Sequence, residues 1–491
     1  ADVTGVNFGF AYNLIVNISD GGQGSLRQFL INANAIGSDN GTTANYSEFR
    51  VPNADLTAGV AVISPTTALP ILTDAGTTID GTTQTDNIGN TNAVTLGTGG
   101  TVGVGADGVA GTGDEIPLPQ VAGPEVEIRD GAALTDGFVL QANDLTVRGL
   151  AMLGFGAADT DAAIVIADGV TNWLIEENIL GSTATSFTDP GTALRNRLAI
   201  VGLGGDNGTI QNNLVGFDKR RGIWLSNATL NSTISGNEVR DTGLESNDGD
   251  GIAIIQSSAN NTVSGNLITG ASSQGFVVNN SAFDNDFINN TLTNNGVGTT
   301  TLAVNQSAGI TLRATTRRTR IEKNIVYANY GAGIAVNNDI ATDSIITQNS
   351  FYDNGTIVAR DSSPATGQIG IDLNSAAEDA NLGTFPFYTL NAETVGGNGL
   401  YDFPVFTSAE IVGTNLELKG TSITGTIIEF FIADSDPSGY GEGETWLFTD
   451  SEGSGSDLDA DAGEFFFQVA LPGGVSDGTE ITATATSGTG N

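Results

Sequence analysis

The sequence predicts an all-β fold: a solenoid of short parallel strands with a short capping helix near its start and a β-sandwich at its end. The first observation behind this reading is a repeat. Asn178, Asn213, Asn237, Asn266, Asn290, Asn324 and Asn349 each follow an apolar tetrad such as Gly222-Ile223-Trp224-Leu225. The distance from tetrad start to Asn is 15 residues in six cases and 16 in the last. From Asn to the next tetrad it is 9 in three turns and 20, 14 and 19 in the others. A minimal turn therefore has 24 residues, and extra length enters at one corner, as stacked repeats require. The second observation is the unit itself: runs of three to five apolar or β-branched residues between Gly, Asn, Asp and Ser, too short for helices and suited to strands. The third is a change of pattern past Leu400, where longer alternating runs such as Glu464-Phe-Phe-Phe-Gln-Val begin.

A strand that buries two or three side chains is unstable alone. Stacked on its like at about 4.8 Å it gains a parallel ladder and a continuous core, which makes the solenoid a right-handed parallel β-helix. The recurring Asn then has a structural role. It tolerates a left-handed backbone at a bend, and its amide pairs with the Asn of the next coil.

Taken in order, residues 1–20 read as strands, Val3 to Phe10 and then Leu14-Ile15-Val16, with no evident partner in the same solenoid. Ser25 to Ala35 is the helix. Ser25 and Gln28 suit a capping box, and Leu26, Phe29, Leu30 and Ala33 form one apolar stripe that would plug the open end of the core. The solenoid spans 21–397, with irregular coils over 36–150, a Gly-rich excursion from Thr98 to Pro124, and clear coils from about 130 to 375. The sandwich occupies 398–491.

These motifs resemble the bacterial secreted right-handed parallel β-helix repeat proteins of the large surface or adhesin type. The resemblance lies in Gly21-Gly22-Gln23-Gly24-Ser25-Leu26-Arg27-Gln28 with Asn32-Ala33-Asn34, in the Asn-x-Ile/Val and Gly-Ile-x-Val/Leu coils, and in Asn398-Gly399-Leu400-Tyr401-Asp402-Phe403-Pro404-Val405. It implies the architecture and a linker into a terminal sandwich. It says less about activity, because the fold carries lyases, epimerases, adhesins and phage spikes alike.

The chain of 491 residues carries 56 acidic against 17 basic residues, a net charge of −39. Such a surface excludes unaided binding to nucleic acid or an anionic membrane and attracts divalent cations. No run of 18 apolar residues exists to span a bilayer, and there is no cysteine, so the stack must be held without disulfides. The expected location is extracellular, on or near the cell surface.

Histidine is absent, which removes the commonest general base and metal ligand. Lyase-type chemistry would have to use acidic residues with an Arg or Lys. Asp248 and Asp250 beside Arg240, and Arg320-Ile321-Glu322-Lys323, are the candidates; they read as a solvated turn and as outward-facing charges, so no catalytic residue is assigned. For Ca²⁺, Asp457, Asp459 and Asp461 are spaced two apart as in the first half of a calcium loop, and Asp434 and Asp436 offer further oxygens. Asp107, Asp114 and Glu115 in the excursion are a weaker version. Arg313, Arg317, Arg318 and Arg320 form a basic patch suited to docking a carboxylate surface, another copy or an acidic glycan, or else to neutralising adjacent coils. The function expected on these grounds is structural and non-enzymatic: a self-assembling cell-surface or filament subunit, or adhesin stalk, joined head to tail as a homo-oligomer through its terminal strands. The alternative is a Ca²⁺-dependent carbohydrate-active β-helix, either a polysaccharide lyase or a glycan-binding module.

Overall fold

The computed structural model describes residues 11–37, 44–246, 248–298, 307–337, 341–374, 396–436 and 439–488. The chain divides into two compact units. One comprises residues 1–97, 120–201 and 205–214, and the other 98–119, 202–204 and 215–491.

In the first unit the helix Leu26–Ile36 buries Leu26, Phe29, Leu30 and Ala33, the stripe expected. Half of the capping box forms. Ser25 Oγ accepts from the Gln28 N–H at 3.2 Å, but the Gln28 amide donates to Asn32 Oδ1 rather than returning to the cap. Leu14–Ile15 finds a parallel partner in Glu48–Phe49 of its own chain; the expected donor strand Val3 to Phe10 lies outside the described residues. Parallel rungs follow, with Thr78–Asp80, Thr146–Arg148, Leu174–Glu176 and Thr209–Gln211 in one ladder and Ala61–Ile63, Val126–Arg129, Ala151–Leu153 and Ile179–Leu180 in another.

The second unit repeats the arrangement in three parallel sheets. One stacks Ile223–Ser226, Ile252–Ile255, Phe276–Asn279, Ile310–Leu312, Ile334–Val336 and Ile371–Leu373. The second stacks Thr233–Ser235, Thr262–Ser264, Asp286–Ile288, Arg320–Glu322 and Ile345–Thr347. The third stacks Glu238–Arg240, Leu267–Thr269, Thr291–Thr293, Ile325–Tyr327 and Ser350–Tyr352. Every rung of the last two sheets except Ile345–Thr347 buries its middle side chain in the core, as in the fully buried series Ile234, Val263, Phe287, Ile321 and Val239, Ile268, Leu292, Val326.

Asparagines of successive coils are hydrogen-bonded to one another. Asn237 N and Nδ2 both donate to Asn266 Oδ1, at 2.9 and 3.0 Å, and the pattern continues through Asn290, Asn324 and Asn349. In the first unit Asn178 donates to Asn213 in the same way. The expected left-handed backbone falls one residue earlier, on Glu177, Asn212, Gly236, Gly265, Asn289, Lys323 and Gln348. The bend is made there, so that the following Asn can turn its amide inward. Parallel ladders that the repeat did not reveal run through Asn261 and Asn285, and through Asn295, Asn329 and Asn354.

The Gly-rich excursion of the second unit lies along the third sheet. Thr98 Oγ1 donates to Glu238, Gly103 N to Thr291 Oγ1, and Val104 N to the Lys323 carbonyl. The sandwich has two antiparallel sheets of three strands. One is Val405–Val412, Asn415–Thr421 and Glu464–Ala470; the other is Glu442–Ser451, Ile427–Asp434 and Ile481–Thr486. Leu416, Leu418, Ile428, Phe430, Phe465 and Phe467 fill the space between them. The fold class read from the sequence is the one found.

Candidate functional site

Within the second unit, a cavity of about 420 Å³ opens over the outer face of the first sheet. Strand alternation sets it up: Ile223 and Leu225 enter the core, so Trp224 faces outward. Its neighbour in register is Ala253, whose small side chain leaves room beside the indole. Arg220 and Arg221 fold over the Trp224 ring, with guanidinium carbons 5.2 and 4.9 Å from its centroid. Gln256, Gln274, Asn279, Asn280 and Arg313 complete the wall.

The arginines are held by two carboxylates. Arg221, only 8% exposed, donates Nε to Asp250 at 2.6 Å and its second nitrogen to Asp248, which also receives Arg220 at 3.2 Å. Burial pushes the Asp250 carboxyl above the usual range against the pull of Arg221, while Asp250 and Asp248 hold Arg221 above its own. With Arg313 included, three guanidiniums meet two carboxylates, an excess of positive charge in a molecule of net −39. Three buried donors in its lining, Trp224 Nε1, Gln274 Nε2 and Arg313 Nε, lack hydrogen-bond partners. Buried polar groups are nearly always paired, so donors left over around one cavity point to a ligand with acceptor oxygens.

The residues singled out in sequence disperse. Of the arginine patch, only Arg313 reaches the cavity. Arg318 makes a two-pronged pair with Asp284 at 2.6 and 2.7 Å, Arg320 bridges Asp286 and Glu322, and Arg317 lies over the Phe283 ring. Arg318 and Arg320 thus pair with carboxylates of the adjacent coil. Asp248 and Asp250 pair with Arg220 and Arg221 instead of Arg240, which joins Glu238. Among the calcium candidates, Asp459 and Asp461 come together with Glu464, their carboxylate oxygens all within 4.8 Å of one another. Asp457 stands apart from that group: its Oδ1 accepts from the Asp459 and Phe466 N–H groups and its Oδ2 from Gly453. Asp434 accepts from the Asp353 N–H, and neither it nor Asp436 belongs to the group. In the excursion, Asp107, Asp114 and Glu115 accept backbone N–H groups of their own turns. Lys219-Arg220-Arg221, a basic triplet ahead of the only Trp-bearing tetrad in an acidic chain, was the sequence signal for the cavity, and it was missed.

Residues 159–292 match the family described as right handed beta helix region. No curated protein sequence matches the chain. Among solved structures, it resembles the A-module of the Azotobacter vinelandii mannuronan C-5 epimerase AlgE6, at 13% identity and TM-score 0.42, over 71% of this chain and 76% of that one. The Dettilon tailspike protein aligns at 13% identity and TM-score 0.41, over 84% and 82%. An alginate lyase from Paenibacillus sp. aligns at 13% identity and TM-score 0.31, over 46% and 90%. The right-handed parallel β-helix is shared; at these identities nothing finer is. Six of the similar structures are epimerases or lyases by name, beside the tailspike and the DFA-IIIase from Arthrobacter chlorophenolicus A6. The expectation of a non-enzymatic chain, with its adhesin, filament and structural-protein description, does not agree with these neighbours and is not carried further. Among the described residues no helix is long and apolar enough to cross a membrane.

Proposed function

We propose that this chain is a secreted, carbohydrate-active β-helix that acts on an acidic polysaccharide, with the arginine-lined cavity as its sugar subsite. The observation that carries the reading is the convergence of Arg220, Arg221 and Arg313 with Trp224 around a cavity with unpaired polar atoms. A guanidinium fork matches a uronate carboxylate, the indole offers a flat apolar face to a pyranose ring, and Gln256, Gln274 and Asn279 suit sugar hydroxyls. Neutralising that carboxylate would acidify the neighbouring carbon–hydrogen bond, the first requirement of lyase or epimerase chemistry. In a chain without histidine we assign proton removal to Asp248, 46% of whose side chain is exposed, with its Arg220 and Arg221 partners turning to the substrate carboxylate on binding. Calcium has a separate place in this reading. Asp459, Asp461 and Glu464 supply the hard oxygen ligands Ca²⁺ takes, and would brace the turn before Glu464–Ala470.

The test is binding and turnover on a panel of polyuronates beside neutral glycans, following the ultraviolet absorbance of unsaturated uronate ends. Arg313→Gln and Arg220→Gln should each weaken binding about ten- to hundredfold, on the scale of a charge-assisted hydrogen bond, while leaving the fold intact. Equal affinity for neutral glycans, or variants that bind polyuronate as the parent does, would overturn the assignment.

A further inference from the structure

In a parallel β-helix the last coil has no successor, and the N–H groups that every earlier coil sends forward are left over. Within the second unit, the residues involved can be followed from coil to coil. Lys323 N donates to the Thr347 carbonyl, Ala328 N to the Tyr352 carbonyl, and Asn329 N to Asn354 Oδ1. The equivalent donors of the next coil are Gln348, Asp353 and Asn354. All three go to carboxylates of the sandwich: Gln348 N to Glu429 Oε2 at 3.1 Å, Asp353 N to Asp434 Oδ2 at 3.0 Å, and Asn354 N to Glu442 Oε2 at 3.0 Å. The mimicry is closest at Glu442. Its Oε2 also accepts from Asn354 Nδ2 at 3.3 Å, so one oxygen receives both N–H groups, as Asn329 Oδ1 does from Asn295 and Asn354 Oδ1 does from Asn329.

The substitution differs from the ladder in charge. An asparagine offers a neutral carbonyl; a carboxylate offers a negative oxygen. Glu442 and Glu429 are 2% and 3% exposed. Glu442 faces Asp434 across the strand pair and Asp436 beyond it, Glu444 follows on its own strand, and Asp353 and Tyr352 approach from the last coil. Asp372 and Tyr440 share its cavity lining. Glu429 faces Glu322, Thr347 and Thr449. Glu322 is itself paired with Arg320, and none of the groups named around Glu442 is an Arg or Lys.

We propose that the joint between the last coil and the sandwich is a proton-dependent clasp, in which Glu442, assisted by Glu429, caps the asparagine ladder in its protonated, amide-like form. A carboxylic acid presents at Oε2 the neutral carbonyl that the ladder donors meet elsewhere. Loss of the proton places a charge in a buried site facing other carboxylates.

The direction of the pH effect follows. Burial, with the charges of Asp436 and Asp434 behind it, lifts Glu442 to about 8 from an ordinary 4.5. Closing the clasp therefore takes up a proton. Its contribution is complete below the ordinary value, weakens by up to about tenfold per pH unit above it, and is gone once pH passes the raised value.

Hydrogen–deuterium exchange on the full chain tests this, comparing the segment 347–355 with the interior rung 286–292 across that range. After correction for intrinsic exchange, the 347–355 segment should lose protection relative to the interior rung as pH rises. In Glu442→Gln, which keeps the carbonyl and removes the titration, the loss should shrink, and adding Glu429→Gln should flatten it. Two results would each overturn the clasp: constant relative protection in the parent, or a Gln double variant that loosens with pH as the parent does.

Discussion

Replacing Asn290 by Ala tests the ladder where it is most completely connected. In the parent, Asn290 Oδ1 receives Asn266 N at 2.9 Å and Asn266 Nδ2 at 2.9 Å. Its Nδ2 donates to Val263 O at 2.9 Å, Ile288 O at 3.1 Å and Asn324 Oδ1 at 3.0 Å. Asn266, Asn290 and Asn324 are all fully buried. Truncation leaves the Asn266 N–H facing an apolar wall. Asn266 Nδ2 keeps Ile234 O and Ser264 O, and Asn324 Oδ1 keeps Asn290 N. One fully orphaned donor costs about 1–3 kcal/mol, and the weakened remainder adds to it, so a loss of roughly 3 kcal/mol is expected. The Asp variant should be worse despite its shape, since it aims a carboxylate at three acceptors. Urea unfolding followed by circular dichroism reads the difference, and Asn266→Ala combined with Asn290→Ala should cost less than the sum of the two. A loss under about 1 kcal/mol, or strict additivity, would refute the ladder as a coupled network.

Two further outcomes follow from the placement of charge. Calcium should raise the unfolding temperature of the sandwich and chelator should lower it, with both responses absent in Asp459→Asn/Asp461→Asn; calorimetry with and without the ion decides this. Arg318→Ala removes a well-formed but exposed pair with Asp284, and should leave thermal stability unchanged within error at moderate salt.

The solenoid was legible because its corner has fixed geometry. A three-residue strand and its bend occupy a constant length, so the tetrad-to-Asn distance survives while the loops at the other corner vary. The other ladders were written in the same text. Asn261 and Asn266, Asn285, Asn290 and Asn295, Asn324 and Asn329, and Asn349 and Asn354 recur at intervals of five, one strand and one bend apart. The strands Val405–Val412 and Glu442–Ser451 were harder to see, because acidic residues and glycines interrupt their alternation. The bend itself was misplaced by one residue, since a side chain that tolerates the left-handed region and one that uses an inward amide look alike in sequence.

Local regularities, then, were determined by the sequence alone: short strands, a capped helix, inward asparagines and a long-stranded terminal domain, each fixed by periodicity and turn chemistry within a few residues. The cavity was decided by tertiary structure. Arg220 and Arg313 meet because the rungs Ile223–Ser226, Ile252–Ile255, Phe276–Asn279 and Ile310–Leu312 stack in register across loops of unequal length. The same holds for Glu442, whose role depends on which coil comes last and what closes it. Charge partners across a solenoid are set by rung order, and rung order is a property of the stack rather than of any segment in it.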